Sequence, residues 1–186
     1  DVARDEISAQ AKAAVFIMPD VDTVFEIGGQ DSKYIRIVNG RVSEFEMNKV
    51  CAAGTGSFLE EQAERLNEDV RNFSEIAFSS ERPVNLGSRC AVFMESDLIH
   101  YQQRAVSKED LIAGLSYSAV NNYLEKVVGT KPVGDKIMML GGVAFNESVV
   151  SAFQEIINKD IVVPEHHEVS AAIGIALIAQ EEVSKT

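Results

Sequence analysis

The sequence contains no tryptophan, only four prolines and only two cysteines among 186 residues. The cysteines, Cys51 and Cys90, form no CxxC pair, and two thiols cannot staple a disulfide-dense secreted scaffold. Positive charge is also scarce: 17 Lys and Arg stand against 29 Asp and Glu, a formal net charge of −12. Such a field repels nucleic acid and anionic membrane surfaces, so neither is an expected partner. Acidity does not exclude a nucleotide, because phosphates are held by local backbone amides and a metal ion. No apolar run approaches the length of a membrane-spanning helix, and no leader peptide opens the chain, so a cytoplasmic location is expected. Low-complexity segments and solenoid-length repeats are missing too. Composition is otherwise that of a globular domain, 46% apolar and 25% charged. The chain starts on Asp1 in the middle of a helix-like pattern, which suggests a piece of a longer protein.

Strand and turn signals come first along the chain. Thr23–Ile27 is a short apolar run ending in Gly28-Gly29, and Lys33–Val38 and Arg41–Met47 flank Asn39-Gly40. Asn-Gly suits a type I′ turn, which needs positive φ twice, so residues 23–47 read as a three-stranded antiparallel meander. Helical spacing surrounds the meander and takes over after it. Helices are expected over residues 4–15, around Phe58, Leu59, Ala63 and Leu66, and from Cys90 to about Arg104. Ser107 caps another, whose face is Leu111, Leu115, Ala119, Tyr123 and Val127. Lys136–Leu140 is a second strand ending in two glycines, Gly141-Gly142, and a helix through Phe145, Val149, Phe153 and Ile157 follows. Ile161–Val163 is a short strand stopped by Pro164. Val169–Ala179 is apolar nearly all round and predicts a buried helix.

Three segments could carry chemistry. In Glu26-Ile-Gly-Gly-Gln-Asp-Ser-Lys33 the glycines allow backbone to approach a phosphate closely, Gln30 could orient a water, and Asp31 could hold a magnesium-bound water. In Leu140-Gly-Gly-Val-Ala-Phe-Asn146 bare backbone could receive an adenosine. Taken alone, each reads more readily as turn chemistry. The third, Lys49-Val-Cys-Ala-Ala-Gly-Thr-Gly-Ser-Phe58, is no Walker loop, since Gly56 is followed by Ser57 rather than Lys. It places the Cys51 thiol just before a helix N-terminus, where dipole and free amides favour a thiolate. Cys90 stands likewise before a helix and beside Arg89. Elsewhere, His166-His167 reads as a solvated loop, Glu60, Glu61 and Glu64 as a solvated helix face, and Met138-Met139 as core. Lys33 either reaches a phosphate or lies at a strand edge.

Taken together, Glu26–Lys33, Asn48–Leu59, Ser88–Ser96, Gly141–Asn146 and Ala171–Leu177 resemble the ATP-dependent activators of 2-hydroxyacyl-CoA dehydratases and benzoyl-CoA reductases. The resemblance implies an α/β fold of the actin-like ATPase (ribonuclease H-like) type, with a β-meander and flanking helices. It implies ATP and Mg²⁺ at Gly28, Gly29, Gln30, Asp31, Gly141 and Gly142, with Gln30 and Asp31 catalytic. Cys51 and Cys90 match the family's cluster ligands. Two thiolates are half of what a [4Fe–4S] cluster takes, so the resemblance implies a homodimer sharing one cluster between two chains. Its implied partners are an iron–sulfur dehydratase or reductase as electron acceptor and a ferredoxin or flavodoxin as donor. The family's first phosphate loop has no match here, which leaves ATP hydrolysis by this chain open. Residues 1–22 would end a preceding half-domain, 23–165 would form the ATPase half-domain, and 166–186 would be a helix packing back on the other half. The alternative is a non-redox kinase or nucleotide-binding module of the same superfamily with incidental cysteines.

Overall fold

The computed structural model describes residues 5–49, 53–88 and 91–184, with the side chains of residues 91 and 92 left aside. Helix α1 (Glu6–Ile17) starts where Asp5 accepts from the Ser8 amide at 2.8 Å, an N-cap that satisfies one free donor. Strands β1 (Thr23–Ile27), β2 (Ser32–Val38) and β3 (Arg41–Met47) follow as the expected meander. Asn39 and Gly40 both take positive φ, 52° and 72°, as the Asn-Gly signal requires. Next come α2 (Gly56–Arg65), α3 (Phe73–Phe78), α4 (Ala91–Gln103) and α5 (Lys108–Tyr123), the last capped by Ser107. A π-helical stretch, Leu124–Val128, continues α5. Then β4 (Ile137–Leu140), α6 (Glu147–Ile157), β5 (Ile161–Val162) and α7 (Ser170–Val183) complete the chain. Sequence periodicity gave no sign of α3 or of the π-helical stretch.

The strands form one five-stranded sheet in the order β3-β2-β1-β4-β5. The meander is antiparallel, whereas β4 runs parallel to β1 and β5 parallel to β4. Alternation along β1, β2 and β4 feeds two cores, because successive side chains leave opposite faces. Phe25, Ile27, Tyr34, Ile137 and Met139 join the larger core with α5 and α6. Within it the rings of Phe25, Tyr123 and Phe153 meet pairwise at 5.4 Å. Val24, Ile35, Ile37, Met138 and Leu140 pack against Ile7, Ala11 and Ala14 of α1. Met138 and Met139 are fully buried, as expected of core.

Helix α7 departs from expectation. Among its residues only Ser170 and Gly174 are buried. It packs on α1, its one extensive neighbour, through their small residues. An apolar circumference does not by itself supply neighbours on every side, so most of α7 stays half-exposed. No helix among the described residues is long and apolar enough to cross a membrane.

Candidate functional site

Because β1 and β4 are parallel neighbours, with Glu26 opposite Leu140, their two glycine turns leave the same edge of the sheet side by side. That edge, at the carboxyl ends of parallel strands, is where open α/β sheets take ligands. Gly141 has φ 90°, and a Cβ there would lie 2.7 Å from the Ile27 carbonyl carbon. Only glycine allows the second turn to sit so close to the first.

Gly28, Gly29 and Gly142 line one cavity of about 460 Å³, a volume suited to a small ligand. Its other walls include Gly56, Phe145 and Asn146 from the singled-out segments, and three residues that sequence reading missed: Glu60 of α2, Arg71, and Ser74 of α3. Glu60, Glu61 and Glu64 are exposed, as a solvated face predicts, but Glu60 also borders this cavity. Phe145 borders the cavity with 66% of its surface open. Gln30 and Asp31 stand exposed on the first turn. That turn is closed by the Gly28 amide donating to the Asp31 carbonyl at 2.8 Å. Asn48 braces it, accepting from the Ser32 amide at 2.8 Å and donating to the Gln30 carbonyl at 3.0 Å.

The start of α2 is bonded to the same turn. Gly56 N–H donates to the Gly28 carbonyl at 2.8 Å and Ser57 N–H to the Gly29 carbonyl at 2.7 Å. These are two of the amides a helix start leaves free, so they hold protein backbone here and are not open to an anion. Both cysteines expected as cluster ligands, Cys51 and Cys90, lie outside the described residues. Beyond them, α2 and α4 are tied by Arg65, which pairs with Glu61 at 2.8 Å and with Glu95 of α4. Among the described residues no group of three or more His, Cys, Asp or Glu could hold a metal ion.

Asn146 caps α6. Its Oδ1 accepts from Ser74 Oγ at 3.0 Å, Ser148 Oγ at 2.7 Å and the Val149 amide at 3.3 Å. An amide N–H cannot bond to another donor, so these contacts settle which end of the side chain is oxygen. Its buried Nδ2 has no partner. An unpaired buried donor costs about 1–3 kcal/mol, and such groups need an explanation.

Beneath both turns lies a charge cluster. Lys33 Nζ sits 2.7 Å from Glu26 Oε2 and 3.1 Å from Glu6 Oε1. Neither reading of Lys33 holds: it is 2% exposed, opposite Glu26 in the β1–β2 register, and faces α1. Burial holds the Glu26 carboxyl above its usual range, more than the Lys33 hydrogen bond lowers it. Burial alone would depress the Lys33 ammonium, but hydrogen bonds and charge from Glu26 and Glu6 carry it above its usual value. His167 corrects a second reading. It is buried, not solvated, because His166 takes φ 59° and turns the chain back onto the end of β4.

The sequence profile of the BadF/BadG/BcrA/BcrD ATPase family matches residues 1–179. The chain belongs to that family. It is 37% identical to the (R)-2-hydroxyglutaryl-CoA dehydratase activating ATPase of Acidaminococcus fermentans, covering 100% of this chain and 71% of that one. The crystal structure of component A of that organism's dehydratase superposes with a TM-score of 0.94 at 35% identity, over 99% of this chain and 71% of that one. The Clostridium difficile activator of 2-hydroxyisocaproyl-CoA dehydratase, solved with bound ADPNP, gives 0.91 at 36% identity, over 97% and 67%. The fold of this BadF/BadG/BcrA/BcrD-family chain is therefore that of the actin-like ATPases, as the motifs imply.

Proposed function

We propose that this chain is the nucleotide-binding and cluster-bearing part of an ATP-dependent activator that delivers electrons to a CoA-ester dehydratase or reductase. The observation that carries the reading is the pair of glycine turns on adjacent parallel strands, bordering one cavity and bonded to the start of α2. Relatives named as activators of CoA-ester dehydratases support it. Gly28 and Gly29 bring bare backbone to the phosphates of ATP, Asp31 holds a water on Mg²⁺, and Gln30 orients the attacking water. Gly141 and Gly142 receive the adenosine, whose base lies toward Phe145 and Arg71. Cys51 and Cys90 from each of two copies would hold one [4Fe–4S] cluster, which would supply a low-potential electron. The donor would be a ferredoxin or flavodoxin in the cytoplasm. Residues 1–22 and 166–186, whose helices α1 and α7 pack together, close the ATPase half-domain formed by 23–165 against its other half.

Because Gly56 and Ser57 donate to the carbonyls of the phosphate turn, a nucleotide that shifts Gly28-Gly29 shifts the start of α2, next to the Cys51 segment. Anaerobic iron and sulfide reconstitution tests the cluster. The expected product is brown, dimeric and carries about two irons per chain, and Cys51→Ser abolishes the colour. A colourless, iron-free wild type overturns the redox reading.

The nucleotide half has its own test. Asn146→Asp keeps the oxygen that accepts from Ser74, Ser148 and Val149, and a carboxylate suits a helix start. It removes the unpaired donor and adds negative charge beside the cavity. Calorimetric titration with MgADP should show a roughly tenfold weaker Kd, about 1.4 kcal/mol, in a variant that melts no lower than wild type. Equal affinities would remove Asn146 from the site.

A further inference from the structure

His167 is bonded twice to one residue of the second glycine turn. The Gly141 amide donates to the His167 carbonyl at 3.0 Å, and His167 Nδ1 lies 2.9 Å from the Gly141 carbonyl. A carbonyl oxygen only accepts, so Nδ1 carries the proton and donates. Both backbone polar groups of Gly141 thereby bond to His167, and the Gly141 carbonyl also accepts from the Ala144 amide at 3.2 Å. The same imidazole meets the Phe145 ring edge-on, with centroids 4.3 Å apart and planes at 63°. Phe145 in turn walls the cavity bordered by the glycine turns. His167 does not border that cavity. It faces a neighbouring cleft on the far side of Phe145, shared with Ser151 and Gln154 of α6.

Gly141 packs closely against the Ile27 carbonyl but has no side chain of its own to lock its backbone. At φ 90° it occupies a region with several glycine alternatives, and the peptide on either side could rotate. Two hydrogen bonds with buried His167, beside the one from the Ala144 amide, fix that rotation, and the ring contact fixes the aromatic wall. We propose that His167 is a positioning residue for the adenosine end of the site: it sets nucleotide affinity through Gly141 and Phe145 without touching the nucleotide. The inference rests on the nucleotide reading above and goes beyond it by assigning a role to a residue outside both glycine motifs.

Two variants separate the hydrogen bond from packing. His167→Asn places an amide nitrogen close to the Nδ1 position and keeps the donor to Gly141, but removes the ring. His167→Phe keeps a ring against Phe145 and loses the donor. MgADP titration of the full chain, with melting temperatures, should give opposite orders. The Asn variant should bind within about threefold of wild type while melting lower, and the Phe variant should melt higher than the Asn variant but bind about tenfold more weakly. A purely structural role would lower affinity and stability in the same order, and that result overturns the proposal, as does wild-type affinity in His167→Phe. Should either variant fail to fold, His167→Gln against His167→Leu asks the same question of donor and packing. A wild type that does not bind MgADP sinks the nucleotide reading itself, whereas wild-type binding with an indifferent His167→Phe sinks only the role given to His167.

Discussion

Replacing Gly174 by alanine is expected to destabilise the protein by about 2 kcal/mol, opposite in sign to the usual effect in a helix. Within an exposed helix that change gains about 1 kcal/mol, because alanine loses less backbone entropy. Here the added methyl would sit 2.5 Å from the Ala9 carbonyl carbon and 3.0 Å from its Cα. Those atoms are helix backbone, which cannot rotate away as a side chain would. Helices α1 and α7 would have to separate along their line of contact, and that contact holds the only two buried residues of α7. Gly174→Leu should go further and release α7, seen as fast amide exchange over Ser170–Val183 while β1, β2 and β4 stay protected. A raised melting temperature in Gly174→Ala would mean that the two backbones do not touch.

Lys33→Met should cost about 3–5 kcal/mol, since it strands the buried Glu26 carboxylate beside Glu6. The lysine side chain is 3% exposed and that of Glu26 8%, so water cannot take over the lost partner. The paired change Glu26→Leu with Lys33→Met should recover most of the loss, because the desolvation penalty leaves with the charges. Urea denaturation of Lys33→Met, Glu26→Leu and the double variant measures this, and additive losses would show that the pair is uncoupled. The pH dependence has a definite sign. Both groups hold their protons more tightly folded than unfolded. The contribution of Glu26 is therefore complete below the ordinary glutamate value of 4.5 and declines as pH rises through its elevated folded value. That of Lys33 is complete below 10.5 and is lost only as pH climbs past its raised folded value. In Lys33→Met the first decline should move to higher pH, because the cation opposing it is gone.

What could be read from the sequence follows the range of the interactions. The Asn39-Gly40 turn, the strands ending in paired glycines and the Ser107 cap are short-range features, and each stands where the residues place it. The Glu26–Lys33 pair was within reach as well. The meander predicts antiparallel partners, and counting across Gly28–Asp31 sets the two opposite one another. His167 was not within reach. Its neighbours are Gly141 and Phe145, brought to it by β4 and β5 lying side by side, and nothing near Pro164 announces that. Arg71 and Ser74 belong to a short helical stretch too brief for periodicity to register. The over-reading of α7 has a plain cause: hydrophobicity gives the capacity for burial, and the number of neighbours decides how much of it is used.

The borders of the sheet bear on how copies of this chain can associate. One border is β3, whose exposed residues include Arg41, Ser43 and Glu44, and the other is β5, two residues long. Among the described residues, charges along one rim, where Phe45 is also exposed, and brevity at the other make both poor templates for an added strand. Ribbon-like polymerisation through strand addition is thus disfavoured from both flanks of the sheet.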